Sequence, residues 1–265
     1  FGLAAFAILM PMTAVVLAIL LLITLSYRNV IDVYTKTGGA YIVSRDNFGP
    51  VVAQIAAVAL MLDYIVTVAI QSAAGVAAII STFPSLGPWK IHMIFAVIAL
   101  LTYGNLRGVK EAGKVFALPT YFFVMCMLTV FGMGLYRLAN GTLPVMDTDM
   151  PGAVPVGEAQ GLLTFAAVFI LLRAFANGGS SLTGLEAISD GVALFKAPEH
   201  VNAKRTLVVM STLLGTLVLG VSFFAHKIHA VPYESGVPTV ISQIAKVTVG
   251  TGTFGSIMFI LVQLA

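Results

Sequence analysis

Long apolar runs dominate the chain, separated by short polar stretches. Residues 1–26, 51–81, 92–106, 115–138, 160–194, 206–225 and 253–265 are each mostly apolar. A helix that crosses a bilayer needs about 20 such residues. The pattern therefore predicts seven membrane spans, the last one short. The 92–106 run reaches crossing length only if "WKIHM" sits at its interface. The 160–194 run is too long and too polar for one ordinary span.

Composition sharpens this picture. The chain is 59% hydrophobic and 9% charged, with a mean hydropathy of +1.01, whereas a soluble domain carries about 25% charged residues. The expected class is an all-α integral membrane protein of the cell membrane, with residues 1–265 forming one transmembrane domain. The chain starts at Phe1 without a Met and is apolar at both ends. It is expected to be a piece of a longer protein, cut at both ends. The first run is too long and too unflanked for a signal peptide.

Loop charges set an expected orientation. One set of loops carries Arg28, Lys36, Arg45, Arg107, Lys110, Lys114, Lys196, Lys204 and Arg205, against Lys90, Arg137, Lys227 and Lys246 on the other. The richer set is assigned to the cytoplasm by the positive-inside rule. The opposite loop 139–159, rich in Pro and Gly and acidic, reads as a solvated linker.

Two spans carry polar groups where they are costly and where they point to a site or pathway. In "LMLDYIVTVAIQSAAG", Asp63, Thr67 and Gln71 recur every four residues and form one stripe, with Tyr64 beside it. Gln71 and Ser72 also fit ordinary hydrogen bonding between packed helices. In "LLRAFANGGSSLTGLEAISDG", a helix entering near residue 160 reaches Asn177 after about 27 Å. The glycines that follow predict a break near Gly178–Gly179, between Asn177 and Leu182, and a restart near Ser181 or Leu182. Broken helices place backbone dipoles at mid-membrane substrate and ion sites. Thr183 and Glu186, three apart, are expected to share the face just past the break, with Asp190 one turn further. Close packing of Gly178, Gly179 and Gly184 is the alternative reading, but it does not call for Glu186. Arg173 is expected to pair with Glu186 or Asp63, or to face a water-filled path.

Other signals are weaker. "GTGTFG" at 250–255 mimics a dinucleotide motif, but no strand precedes it. Cys126 is the single cysteine, which excludes an internal disulfide. The four histidines lack metal-site spacing, and no phosphate loop or nucleophile–His pair is visible. Neither an enzyme, an ATP-driven pump, a cofactor nor a nucleic-acid partner is expected.

The segment "SYRNVIDVYTKTGGAYIVSRDNFGP" is similar to the cytoplasmic segment of amino acid–polyamine–organocation (APC) permeases, where a "GGAY"-type turn follows the second membrane helix. The pattern "LLRAFANGGSSLTGLEAISDGVALFKAPEHVNAKRTL" resembles the branch that holds KimA-like potassium–proton symporters and permeases described only as amino acid transporters. The resemblance implies an inverted-repeat transporter fold, with the chain covering about helices two to eight of twelve. It also implies that Tyr64 and Thr67 on the third helix, and Thr183 and Glu186 at the broken sixth, bind potassium. Asp63, Arg173 and Asp190 remain as coupling or counter-charge residues, and Glu186 is expected to exchange a proton. Partners are then the lipid bilayer and a small cation or amino acid, with a homodimer left open. Proton-coupled potassium import leads. An amino acid or amine permease on the same scaffold, and more remotely an ion channel, stay open.

The charge asymmetry makes a test. Cysteines placed at Lys110 and Lys204 should resist impermeant thiol reagents added outside intact cells. Rapid labelling of both would invert the assignment.

Overall fold

The computed structural model describes residues 4–35, 37–107, 109–148, 150–154, 164–250 and 252–265. Among them the chain forms ten α-helices: α1 (Ala4–Val33), α2 (Gly39–Phe48), α3 (Pro50–Thr82), α4 (Lys90–Leu106), α5 (Val109–Ala139), α6 (Phe165–Gly179), α7 (Glu186–Asp190), α8 (Glu199–Ile228), α9 (Val240–Val249) and α10 (Thr253–Leu264). No strand occurs among the described residues beyond one isolated antiparallel bridge, Ala153 with Tyr233. Five stretches are long and apolar enough to cross a membrane: Phe6–Val33, Pro50–Thr82, Pro84–Leu106, Ala117–Ala139 and Glu199–Ile228. Leu22, Ile55, Ile65, Phe95 and Leu100 are exposed, as suits faces that meet lipid rather than water.

The predicted spans shift in instructive ways. The first runs seven residues past its apolar end, carrying Tyr27 and Arg28 as helix rather than loop. It stops before the Gly38–Gly39 turn, where both residues have positive φ (123° and 27°). The 92–106 run starts at Lys90 and is preceded by a 3₁₀ turn, Pro84–Trp89, which together reach crossing length. The 160–194 run is broken, as expected. The last run forms only the short α10. Residues 226–252, which fall between the last two apolar runs, contain α9, whose Thr239 hydroxyl accepts the Ser242 N–H as an N-cap. The 139–159 linker is also more engaged than expected. Met146 N–H donates to Ile228 O, and Val154 N–H to Pro232 O. Lys36 and residues 155–160 lie outside the described residues.

The chain divides into two compact units. One comprises residues 8–67 and 160–219. Its core joins Val16, Leu20 and Ile31 of α1 to Leu185 and Ile188 of the broken segment and Leu207 of α8. The Thr24 hydroxyl reaches Ser211 Oγ at 2.8 Å, and Lys204 pairs with Asp32. The other unit comprises residues 1–7, 68–159 and 220–265. Here α9 buries Ser242 to Ala245 and Thr248 to Val249. Gln243 accepts the Val231 N–H and donates to the Val231 carbonyl, while Ser242 donates to Gln263.

Within this second unit, α5 and the end of α8 interlock through two aromatic–glycine pairs. Phe131 and Phe224 stack with centroids 5.7 Å apart. A Cβ added at Gly220 would strike the Phe131 ring, and one at Gly134 the Phe224 ring. Both neighbours are rigid rings inside a packed site, so the extra methyl cannot be absorbed cheaply. Gly220→Ala in the full-length protein is expected to cost about 1–3 kcal/mol, read as a lower unfolding midpoint in detergent. An unchanged midpoint would show that the crossing can slide.

Candidate functional site

The site begins with a helix that runs out of backbone partners. Helix α6 ends at Gly179, and a 3₁₀ turn, Ser180–Leu182, follows. Three hydroxyls then serve its carbonyls. Ser180 Oγ donates to Asn177 O at 2.6 Å, Ser181 Oγ to Gly178 O at 2.6 Å, and Thr183 Oγ1 to Ser180 O at 3.0 Å. The break proper falls at Thr183, which is extended (ψ 150°), and Gly184, whose φ is +95°. That φ is costly for any residue with a Cβ. Gly178 and Gly179 are part of the helix rather than its break. Gly178 lets Val16 of α1 come close, which was the packing role considered for it.

The chain restarts as α7. Glu186 folds back so that both carboxylate oxygens accept the Gly184 N–H, at 3.1 and 3.0 Å. Four residues on, Asp190 Oδ2 accepts the Tyr64 hydroxyl of α3 at 2.7 Å. Asp190 Oδ1 is buried and has no hydrogen-bond partner among the described residues. Tyr27 of α1 lies within electrostatic reach of both Glu186 and Asp190, and Tyr64 is close enough to sense all three.

The structure thus brings together three residues named from sequence, Tyr64, Glu186 and Asp190. It adds Tyr27 of "SYRN", a polar stretch beyond the first apolar run that the structure continues as helix α1. Thr183 stays beside Glu186, but not through the helical i, i+3 relation expected of it, because it sits in the extended link before α7. Thr67 is half-buried on α3, three residues from Tyr64, and makes no hydrogen bond to the described members of the group. Asp63 is half-buried and has no hydrogen bond or ion pair with a described residue. Adjacent helical residues point about 100° apart, so Asp63 diverges from Tyr64.

The pairing expected of Arg173 is corrected. Arg173 is exposed and makes no ion pair with a described residue. It lies six residues, about 9 Å, before the end of α6 and a further turn from the break. Glu186 uses a backbone N–H instead. The donor atoms gathered here are all oxygens, from two carboxylates and two phenols. Among the described residues no cluster of three or more His, Cys, Asp or Glu side chains could hold a metal ion. An all-oxygen set of this kind suits a hard cation.

The family model described as amino acid permease matches residues 2–265. The chain belongs to the amino acid permease family, within the APC superfamily. It is accordingly a multi-pass membrane protein of the cell membrane. It is similar to "Potassium transporter KimA" of Bacillus subtilis (strain 168), with 39% identity over 253 residues, covering 95% of this chain and 40% of that relative. The chain therefore spans about two-fifths of the relative's length.

The geometry at Gly184 can be tested directly. Gly184→Ala in the full-length protein places a Cβ at φ +95°, which should cost about 1–2 kcal/mol. The check is a thermal melt in detergent beside Gly179→Ala, whose added Cβ meets nothing within 4 Å. Equal effects at the two positions would contradict the placement of the break.

Proposed function

We propose that this chain supplies part of a proton-coupled potassium importer, within one permease domain. Glu186, Tyr64, Thr183 and Thr67 are the cation ligands, and Glu186 is the group that exchanges charge with the cation. The observation that carries the reading is the closure of the Gly184 N–H by Glu186. In a permease for amino acids, free N–H groups at such a break suit a substrate carboxylate. Here the N–H is already taken by the protein's own carboxylate, which would repel a second one. The same carboxylate keeps spare lone pairs for a cation. The name of the 39% identical relative points the same way.

A second reading keeps one observation in its favour. The family's own description is amino acid permease, and a primary amine could sit against Glu186 as readily as potassium. Uptake of potassium into potassium-depleted cells or liposomes, with amino acids and amines as competitors, separates the two. In the full-length protein, Glu186→Gln keeps shape and hydrogen bonding but removes the charge. Potassium uptake should fall by about tenfold or more, the scale of a lost charged contact. Transport at normal rate and normal pH dependence would end the role given to this residue.

A further inference from the structure

The Gly38–Gly39 turn after α1 meets the site. Gly38 N–H donates to the Asp190 backbone carbonyl at 3.0 Å. Gly39, with φ +27°, lies so near Asp190 that a Cβ there would overlap Oδ1. On its other side, Asp190 Oδ2 takes the Tyr64 hydroxyl at 2.7 Å. One residue at the end of α7 is therefore held from two directions, by the turn before α2 and by α3.

We propose that Asp190 is a positioning residue, clamped by the Gly38–Gly39 turn, that acts on the cation site through Tyr64. This rests on the reading of Tyr64 as a cation ligand. A phenol can turn its hydrogen toward the site or away from it. By accepting that hydrogen, Asp190 commits the Tyr64 proton to itself and leaves the phenol oxygen with its lone pairs free. Without Asp190 the hydroxyl is free to point its hydrogen at the site, where it repels a cation. The two glycines have a matching purpose. Any side chain at residue 39 would take the space of Oδ1 and push the carboxylate off Tyr64. Among the described residues, the titratable groups that interact with Asp190 or share its electrostatic surroundings are Tyr64 from α3, Tyr27 from α1 and Glu186 from its own helix. Of these, Tyr64 makes the hydrogen bond.

A positioning role differs from a direct charge role in how substitutions combine. Potassium uptake by the full-length protein in liposomes would be measured for Tyr64→Phe, Asp190→Ala, the double variant and Asp190→Asn, separating KM from maximal rate. Each single change to Phe or Ala should raise KM about tenfold, the scale of one hydrogen bond to a charged group, with little change in maximal rate. The double variant should match the singles rather than multiply them, because both break one link. Asp190→Asn keeps an acceptor oxygen and should raise KM less than Asp190→Ala. Gly39→Ala keeps both carboxylates yet should behave like Asp190→Ala.

Effects that multiply in the double variant would show that Asp190 acts on the cation by its own charge, and would overturn the proposal. So would an unchanged KM in Asp190→Ala. If the unmodified protein takes up no potassium, the functional reading fails. The positioning link is then decided by the same cycle of Tyr64→Phe and Asp190→Ala on the unfolding midpoint. Non-additive midpoints support the link, and additive ones refute it.

Discussion

In lipid, no water is available to satisfy a backbone group that a helix gives up. A break in a membrane helix can exist only if something else supplies those bonds. Between Asn177 and Glu186 the chain supplies them from its own side chains. Ser180, Ser181 and Thr183 serve carbonyls on one side, and Glu186 serves the Gly184 N–H on the other. This self-sufficiency accounts for the composition of the segment. It also accounts for where Glu186 sits, since the reach of its side chain back to Gly184 draws the carboxylate to the break.

The fold class was readable because lipid imposes a simple code of length and apolarity. The break was readable too, but not its place. Gly178, Gly179 and Gly184 look alike as letters, and only Gly184 takes the left-handed backbone. Tyr27 was missed because "SYRN" is polar and looked like a loop, whereas helix α1 continues through it. Helix α9 was missed for the same reason. Its Ser242, Gln243 and Thr248 are polar yet buried, because each finds a partner inside the fold. The stripe of Asp63, Thr67 and Gln71 shows the limit of spacing. Periodicity tells which residues share a face, not what that face meets.

The site also shows how few long-range links are needed to assemble charge within a membrane. Two helices and one turn converge on α7, a helix of five residues. Tyr64 and the Gly38–Gly39 turn reach it by hydrogen bonds, and α1 brings Tyr27 near. So short a helix has little stability of its own. Its position depends on those contacts and on Leu185 and Ile188, which join the core beneath it.

Many hydroxyls in the spans are spoken for by their own helices. Thr102, Thr129, Thr212 and Thr216 each donate to the carbonyl four residues back. To the surrounding lipid such a threonine presents a methyl group and an oxygen whose hydrogen is already engaged. Its effective polarity is far below what its letter suggests. Thr24 extends the habit, since its hydroxyl lies within reach of both Leu20 O and Ser211. The polarity that a membrane helix shows its surroundings is thus a property of the coil, not of the residue count. Among hydroxyl side chains in a span, the ones that keep a hydrogen to donate elsewhere are those whose local carbonyl is out of reach.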